Sequence, residues 1–381
     1  MGGWKQYGVA VDSSTSALVL ERLWLTDFRS HEALDLEFAR GVTALVGPNG
    51  SGKTNIVEAI GWLMSMRSFR GAPNEALVRQ GADQAIARAQ LRSDQRELLI
   101  EAELPRSGRI RIQMNKQRVQ RKDLLGVMSV TVFAPDDLEM VKGSPGERRT
   151  YLDQVVVGLH PRNEAIRAQV DKVLKQRNAL LKSVHGRLSG DAEFTLDVWD
   201  TKLAEAGNQL GALRADAVQR LSPLVTEALQ AVAGGNHEVR LTYVAPWHEV
   251  GLQDALGAAR QDDVRRGVTT VGPHRDEIEI LLNDMPARTH ASQGEQRSIA
   301  LALRLAGHQL VRDTTGVAPL LVLDDVFSEL DDGRSAALVA ALPSGQTLLT
   351  SAIDLPPGAV ADATVRLEGV RADKAVSHGA S

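Results

Sequence analysis

Apolar and polar residues alternate along the first segment of the chain as half-buried strands require. Leu18–Phe28 and Leu34–Phe38 both follow this period of two. A short β-rich run at Val42–Val46 then ends in Gly47, and a helical apolar stripe starts near Ile56. Strand, glycine-rich loop and helix in this order are the context in which a phosphate-binding loop occurs.

Strand patterns also occur on both sides of the middle of the chain. Further strands are predicted between Ala87 and about Val132. Near the other end, Leu320–Asp325 is an apolar run closed by two carboxylates, and Thr347–Ala352 is predicted as another buried strand after a helix near Arg334–Leu342. The sequence therefore predicts two α/β blocks that are separated by a different kind of structure.

Between the blocks, apolar residues recur at the spacing of a helix that packs along a narrow seam. The seam consists of Leu196, Trp199, Leu203, Ala206, Leu210, Leu213 and Ala217. A shorter stripe runs from Ile166 to Leu181, and the polar link His185–Asp191 would let the two helices fold back as an antiparallel hairpin. The longer helix is expected to reach on the order of 40 Å at 1.5 Å per residue. An ordinary helical subdomain would give the same pattern, so both interpretations stay open.

Composition narrows the class of protein. The chain has 381 residues, enough for two or three lobes, and no cysteine, which excludes disulfides and a thiol nucleophile. Its 44 Lys and Arg against 48 Asp and Glu give a formal net charge of −4, so any binding of nucleic acid must come from local basic patches. Residues 1–17 lack a signal-peptide pattern and are predicted to be a tail. With no membrane-spanning run expected, the protein is expected to be cytoplasmic.

The first candidate site is the glycine-rich loop. It matches the Walker A pattern in full, with Gly47, Pro48, Asn49, Gly50, Ser51, Gly52, Lys53 and Thr54. Glycines let successive backbone N–H groups turn towards phosphate oxygens, and the N-terminus of the helix faces the same charge. Lys53 is predicted to reach the β- and γ-phosphates of ATP, and the Thr54 hydroxyl to ligate Mg²⁺.

The second candidate site is the pair of carboxylates that ends the run at Leu320. A buried strand that ends in charge places it at the sheet edge where α/β proteins bind ligands. Asp324 is predicted to hold the Mg²⁺ shell, and Asp325 to orient and deprotonate the attacking water. Buried strands that end in Asp are common for structural reasons alone, so this interpretation depends on the neighbouring motifs.

The third candidate is a short polar string before an apolar helix. Its residues Ser292, Gln293, Gly294 and Glu295 resemble the signature of ABC-type ATPases. The resemblance implies that they complete the nucleotide site of the opposite subunit, so that ATP joins two protomers. Taken alone, the string is equally typical of a helix N-cap.

Further positions bear on the resemblance to ABC-type ATPases. Ser328 and Asp331 resemble the D-loop at the dimer interface of such proteins. Thr350 stands where many relatives have a switch histidine, and a Q-loop glutamine is not evident at Phe133–Asp137. Asp325 stands where most relatives carry glutamate. These departures predict slow hydrolysis that suits a switch.

Several blocks resemble the RecF family within the ABC-type ATPases. They are Phe28–Ser30, Leu77–Gly81, Phe133–Leu138, Lys142–Pro145, Arg148–Arg149, Leu152–Asp153 and Gly272–Asp276. The similarity runs from about Leu18 to Leu367, and Phe69 departs from the histidine that relatives usually have. It implies an ATP- and Mg²⁺-dependent homodimer that binds duplex and gapped DNA. It also implies weak ATPase activity and a role in helping RecR and RecO to load RecA during recombinational repair.

The predicted fold is α/β, an ABC-type P-loop ATPase head with a mixed sheet that is interrupted by a helical, coiled-coil-like arm. The expected divisions are a tail at 1–17, the ATPase lobe at 18–153 and 266–370, the arm at 154–265, and a tail at 371–381. An SMC protein would share the head, but the 118 residues between Asp153 and Gly272 are too few for its long arms. An ABC transporter subunit would lack the arm. A scaffold that binds nucleotide without hydrolysing it stays open as an alternative.

Candidate contacts to DNA are basic residues in two regions. The segment Arg106–Lys122 holds seven basic residues and no acidic one, which is typical either of a solvated strand face or of phosphate contacts. The candidates are Arg67, Arg70, Arg79, Arg118, Arg121 and Lys122. No helix-turn-helix, zinc finger or RNP motif is present in the sequence, so contacts to bases are not expected.

Overall fold

The computed structural model describes residues 18–94, 96–352, 354–356 and 358–367, and the predicted tails at 1–17 and 371–381 lie outside them. The strands are β1 (Val19–Phe28), β2 (His31–Glu37), β3 (Val42–Val46), β4 (Gln84–Arg92), β5 (Glu97–Pro105), β6 (Arg111–Met114), β7 (Gln117–Arg118), β8 (Val130–Phe133), β9 (Val239–Val244), β10 (Glu277–Leu282), β11 (Met285–Pro286), β12 (Leu320–Leu323), β13 (Thr347–Ser351) and β14 (Ala363–Arg366). The α-helices are α1 (Lys53–Ser65), α2 (Arg121–Leu124), α3 (Glu139–Lys142), α4 (Pro145–Leu159), α5 (Asn163–Ser183), α6 (Gly190–Ala233), α7 (Leu252–Arg266), α8 (Ala287–His290), α9 (Gln293–Thr315) and α10 (Asp332–Ala340).

A parallel sheet of five strands lies at the centre of the ATPase lobe, in the order β14-β3-β13-β12-β8. Strands β3 and β8 come from the first predicted block and the others from the last, so the two blocks build one sheet. Leu320 and Val322 face the core that contains α1, whereas Leu321 and Leu323 face the core that contains α9. Because both faces are covered, these strands are apolar throughout rather than alternating.

Antiparallel strands form two separate sheets. The larger has the order β2-β1-β4-β5-β6-β7, and its alternating pattern buries residues such as Leu23 and Leu25 against α1. Helix α1 therefore lies between this sheet and the parallel one. The smaller sheet, β11-β10-β9, leads into the segment before α9. The ABC-type α/β architecture expected from the sequence is thus present, with parallel and antiparallel strands divided between sheets.

The helical arm is built from α5 and the first half of α6, with α7 packed against both. Leu203 and Leu210 of α6 share a core with Val173 of α5 and Leu256 of α7. Helix α6 has 44 residues and reaches about 66 Å at 1.5 Å per residue, so the expected length on the order of 40 Å is wrong. The apolar pattern continues beyond the predicted seam, and the second half of α6 packs against α9 in the lobe. The domain division at 154–265 stays a prediction.

A buried ionic network, here called the arm network, joins the three arm helices. Arg177 of α5 is fully buried and donates from Nε to Asp200 of α6 at 2.6 Å. Its Nη1 donates to Asp263 of α7 at 2.7 Å and to Thr269 at 2.9 Å. Breaking such a pair leaves a buried charge uncompensated, so the network fixes how the arm helices pack. No helix in the described part of the chain is long and apolar enough to cross a membrane.

Candidate nucleotide site and signature

The glycine-rich loop connects the C-terminal end of β3 to the N-terminus of α1. Its path is fixed by Gly50 and Gly52, whose φ angles of 82° and 94° are disfavoured for residues with a side chain. Gly47 N donates to Ser351 O of β13 at 3.1 Å, which holds the loop at the edge of the parallel sheet. Helix α1 then begins at Lys53, so its positive N-terminal end faces the loop.

The predicted phosphate-binding lysine is folded across this loop. Lys53 Nζ donates to Gly47 O at 2.6 Å and to Pro48 O at 3.0 Å. Burial lowers the pKa of Lys53, while the nearby carboxylates of Asp325 and Asp324 act against that change. A buried ammonium held by carbonyl oxygens of the loop suits exchange of those contacts for a phosphate.

The carboxylates predicted after β12 lie in the same place. Asp324 is 2% exposed and accepts a hydrogen bond from Thr350 Oγ1 at 2.6 Å. Burial raises the pKa of Asp324, and hydrogen bonds with the Thr350 and Thr54 hydroxyls oppose that effect. The two predicted Mg²⁺ ligands, Thr54 and Asp324, are therefore in direct contact.

Thr350 is a member of this site that sequence reasoning did not assign. Its hydroxyl donates to Asp324 and also accepts from Asp325 N at 2.9 Å. One side chain on β13 thus holds both carboxylate residues at the end of β12. The threonine occupies the expected switch position, but the structure gives it a positioning contact.

Two polar atoms near the loop lack hydrogen-bond partners within the described residues. They are Asp325 Oδ1 and Ser51 Oγ, and both are buried. Asp325 also has a left-handed backbone with φ 51°. Buried polar atoms without partners cost free energy unless a ligand or water satisfies them, so they fit a site that receives phosphate and water.

The donor set fits a nucleotide-bound Mg²⁺. This ion prefers one or two carboxylates, with phosphate and water completing its shell. Asp324 and Thr54 supply a carboxylate and a hydroxyl at the phosphate loop. No group of three or more His, Cys, Asp or Glu that could hold a metal by itself occurs in the described ranges.

His31 contacts the glycine-rich loop, and sequence reasoning did not assign it to the site. Its Nε2 lies 3.1 Å from Gly52 O, and a Cβ on Gly52 would stand 2.5 Å from the same nitrogen. Burial lowers the pKa of His31, which keeps the ring neutral near pH 7 with Nε2 as the donor. The signal was weak, since a lone histidine at the start of a strand has many structural explanations.

The predicted signature lies at the N-terminus of α9, where Gln293 is the first helical residue. Ser292 caps the helix: its Oγ accepts from Glu295 N at 3.3 Å, and Glu295 Oε2 accepts from Ser292 N at 2.7 Å. Hydrogen bonds from Ser292 lower the pKa of Glu295. Ser292 is therefore the N-cap of α9, as one interpretation of the sequence predicted. This contact does not exclude a role towards a second subunit.

The predicted D-loop lies between the signature and the carboxylates. Ser328 Oγ donates to Asp325 O at 2.8 Å, and Asp331 caps α10 by accepting from Arg334 N at 2.8 Å. The Arg334 side chain reaches the signature, because a Cβ on Gly294 would stand 2.8 Å from its Nη1. Within one protomer, the predicted D-loop thus contacts Asp325 directly, and the helix that it caps contacts the predicted signature through Arg334.

The segment expected to hold a Q-loop glutamine instead provides an aspartate. Asp137 Oδ2 accepts from Ala134 N at 3.0 Å, directly after β8. Arg304 of α9 donates to both carboxylate oxygens of Asp137, at 2.6 and 3.0 Å. This bidentate pair ties the end of an edge strand to the signature helix, a link that the sequence did not reveal.

The block Gly272–Asp276 forms a structural junction. Asp276 accepts hydrogen bonds from the Tyr243 hydroxyl and from Trp247 Nε1. Arg149 donates to Asp276 O at 2.7 Å, and Arg214 donates to Pro273 O at 2.7 Å. The block therefore joins α4, α6 and the small sheet.

Two of the basic candidates for DNA contacts are engaged by acidic side chains. Arg79 donates to Asp27 at 2.6 Å. Arg70 lies 4.0 Å from the fully buried Glu58, which already forms a bidentate pair with Arg29. These two arginines are thus not simple free surface charges.

The other candidates divide into two settings. Arg118 and Lys122 are exposed on β7 and α2. Arg67 and Arg121, from separate segments, both approach Glu164 of α5, at 3.7 and 3.4 Å. The structure thus brings together two candidates that are 54 positions apart in the sequence.

Comparison with known proteins agrees with this architecture. Residues 19–357 match the model of the RecF/RecN/SMC N terminal domain. The chain is 46% identical over 351 residues to the DNA replication and repair protein RecF of Streptomyces avermitilis, covering 87% of this chain and 93% of the relative. It is 42% identical over 353 residues to the protein of the same description from Acidothermus cellulolyticus, covering 89% and 95%.

Solved structures give the same result. The recombination mediator protein RecF with ATP, of the RecFOR pathway, superposes with a TM-score of 0.87 at 29% identity, covering 95% of this chain and 99% of that one. An Smc head domain with an extended coiled coil from Pyrococcus furiosus shares the fold, with a TM-score of 0.56 at 18% identity over 93% of this chain and 94% of that one. The chain belongs to the RecF family of ABC-type ATPases.

Proposed function

We propose that this protein is an ATP-switched, DNA-binding ATPase of recombinational repair that acts in the cytoplasm. The observation that carries the proposal is the convergence of four side chains at one edge of the parallel sheet. Lys53 and Thr54 follow β3, whereas Asp324 and Asp325 follow β12. A phosphate-binding loop facing two carboxylates is the arrangement that phosphoryl transfer requires.

Each residue has a separate task in nucleotide binding. Lys53 exchanges its carbonyl contacts for the β- and γ-phosphates of ATP, and Thr54 and Asp324 hold Mg²⁺. Mg²⁺, when bound, neutralises charge on the phosphate oxygens. Asp325 orients the attacking water and accepts its proton through the oxygen that lacks a partner. Its side chain is shorter than the glutamate of most relatives, and Thr350 cannot act as a base, so hydrolysis is slow.

ATP joins two copies of the chain through the signature. Ser292 and Gly294 stand at the N-terminus of α9, which favours negative charge. The γ-phosphate bound to one protomer supplies that charge to the other. Hydrolysis removes the γ-phosphate and lets the two protomers separate.

DNA binding follows from pairing. One protomer presents small basic patches on a chain with a formal net charge of −4, so its affinity for duplex DNA is low. Pairing places two such patches side by side, and joined weak sites bind more tightly without new contacts. The relative of the RecFOR pathway supports RecR and RecO as partners. We infer that the outcome is the loading of RecA onto single-strand/duplex junctions.

The nucleotide assignment is tested by Lys53→Ala, with Lys175→Ala as the matched control. Lys175 is exposed on α5, so the control makes the same chemical change away from the loop. Loss of charge-assisted contacts costs about 1.5 to 3 kcal/mol, which weakens ATP at least roughly tenfold. Titration with a fluorescent ATP analogue measures it. Equal affinities for the two variants would refute the assignment.

The DNA assignment is tested on the parent protein with and without ATP. Duplex and gapped DNA should bind more tightly with ATP, with affinity falling steeply as salt rises and depending little on sequence. DNA binding that does not depend on nucleotide would refute the proposed ATP switch.

A further inference from the structure

Three arginines converge on one carboxylate where the arm meets the ATPase lobe. We call this set, which comprises Arg67, Arg121, Arg167 and Glu164, the arm-base cluster. Arg67 follows α1, Arg121 begins α2, and the other two belong to the first turns of α5. The cluster thus joins three elements that no local sequence pattern connects.

The cluster has more cationic groups than its carboxylates can pair. Arg167 takes Glu164 in a bidentate pair, with distances of 2.7 and 2.8 Å, and also donates to Asp171 at 2.7 Å. Arg67 and Arg121 approach the same Glu164 Oε1 at the longer distances of 3.7 and 3.4 Å. Three guanidinium groups therefore share two carboxylates, which leaves a local excess of positive charge.

The two loosely held guanidinium groups are close to each other and reach the surface. Because both Nη2 atoms approach one oxygen, they lie within about 7 Å of each other. The side chains of Arg67 and Arg121 are 53% and 37% exposed. Burial and the charge of Arg67 lower the pKa of Arg121, and its Nε is buried without a partner in the described chain. An anion would relieve this repulsion.

A phosphodiester fits this gap. Two oxygens of one phosphate, each accepting at about 2.8 Å, bridge guanidinium groups at such a separation. Arg162 and Lys122 are exposed beside the cluster in sequence and extend the basic surface, whereas the carboxylate of nearby Asp123 is used to cap α2 through Gln120 N. Backbone contacts of this kind position DNA without reading its sequence.

We propose that the arm-base cluster is a docking site for the phosphate backbone of duplex DNA, with Arg67 and Arg121 holding one phosphate. The proposal rests on the DNA-binding function above and names its surface. Glu164 restrains the site in the absence of DNA by drawing both arginines towards α5. Arg67 follows the C-terminal end of α1, about 20 Å along the helix from Lys53, so one helix connects the nucleotide loop to this surface.

The test measures duplex binding in the presence of ATP at several salt concentrations. Arg67→Gln with Arg121→Gln should weaken binding at least about tenfold at low salt and lower the salt slope by about one for the lost phosphate. Arg265→Gln, on α7 with a side chain that is 71% exposed, should leave both quantities near the parent values. Glu164→Gln should strengthen binding and steepen the slope, a gain that damage to packing would not produce.

The possible results distinguish a failure of this DNA site from a failure of the proposed function. If the parent binds duplex DNA with ATP and the double variant matches it, this site is wrong and the proposed function stands. If the parent does not bind DNA, the proposed function itself fails. Arg118→Gln, at another candidate contact, is measured beside the other variants: if it loses more affinity than the double variant, phosphate is held by the β6–β7 hairpin instead. Thermal unfolding of each variant with ATP confirms folding, and Arg67→Lys, which keeps the charge, should retain most of the affinity.

Discussion

Replacing Thr350 by valine tests whether this side chain holds the two carboxylate residues at the end of β12. Valine keeps the shape of threonine and removes the hydroxyl that donates to Asp324 Oδ1 and accepts from Asp325 N. Loss of a hydrogen bond to an ionised carboxylate costs about 1.5 to 3 kcal/mol, and an unpaired buried N–H costs about 1 to 3 kcal/mol. We expect the free energy of unfolding to fall by about 2.5 to 6 kcal/mol at a pH where Asp324 is ionised.

The pH dependence separates the electrostatic part of this effect from packing. The hydrogen bond from Thr350 opposes the rise in the pKa of Asp324 that burial causes, so in Thr350→Val the pKa of this carboxyl rises further. The stability that the hydroxyl adds through ionised Asp324 is therefore present above the raised pKa and lost as pH falls through it. The difference between parent and variant should therefore shrink as pH falls.

Urea unfolding at four pH values measures this difference, with Thr350→Ser as the control. Serine keeps the hydroxyl and loses only a buried methyl group, which costs about 0.8 kcal/mol. Binding of Mg²⁺ and ATP should stabilise the parent and the serine variant by mass action, and should do so less for valine because Mg²⁺ must displace the proton. The interpretation fails if valine and serine variants unfold alike at every pH.

Three further substitutions give distinct outcomes. Ser292→Arg should bind ATP normally but stay monomeric by light scattering, because a bulky cation would fill the approach of the partner's phosphate; an ATP-dependent dimer would contradict the signature assignment. Asp263→Ala removes one carboxylate of the arm network and should cost about 3 to 5 kcal/mol in urea unfolding, whereas Asp262→Ala on the exposed side of α7 should cost at most about 1 kcal/mol. Gly52→Ala should destabilise the fold by at least about 1 kcal/mol, since φ is 94° and the added Cβ would meet His31, and unchanged thermal unfolding would show that the loop can move.

The sequence predicts best where the structure is local. Strand β3, the loop and α1 are consecutive, and the residues that set the backbone path, such as Gly50 and Gly52, are in the motif itself. The apolar run at Leu320–Leu323 likewise predicts a strand buried on both faces. Placing β12 in the same sheet as β3 needed only the general rule that ligand-binding residues follow the carboxyl ends of parallel strands, at one edge of the sheet.

The contacts that were missed join positions far apart in sequence. Thr350 reaches Asp324 across 26 residues, and Arg304 reaches Asp137 across 167. A threonine in an apolar strand, or an arginine in a helix, gives no sign of which carboxylate it will meet. The length of α6 was underestimated for a related reason, because its second half packs against α9 in the lobe rather than within the arm.

Hydrogen bonds and close contacts connect the predicted catalytic edge of the sheet to the predicted signature within a single protomer. Asp325 O accepts from Ser328, three residues later Asp331 caps α10, and Arg334 on that helix lies against Gly294. A change in the backbone at Asp325 therefore reaches the N-terminus of α9 through one short loop and one side chain. Coupling of this kind has physical content only if the loop has two arrangements. In the proposed function, pairing supplies the second arrangement, because the partner's phosphate would compete for the surface beside Gly294. The proposed function thus links nucleotide state and assembly at the same few residues.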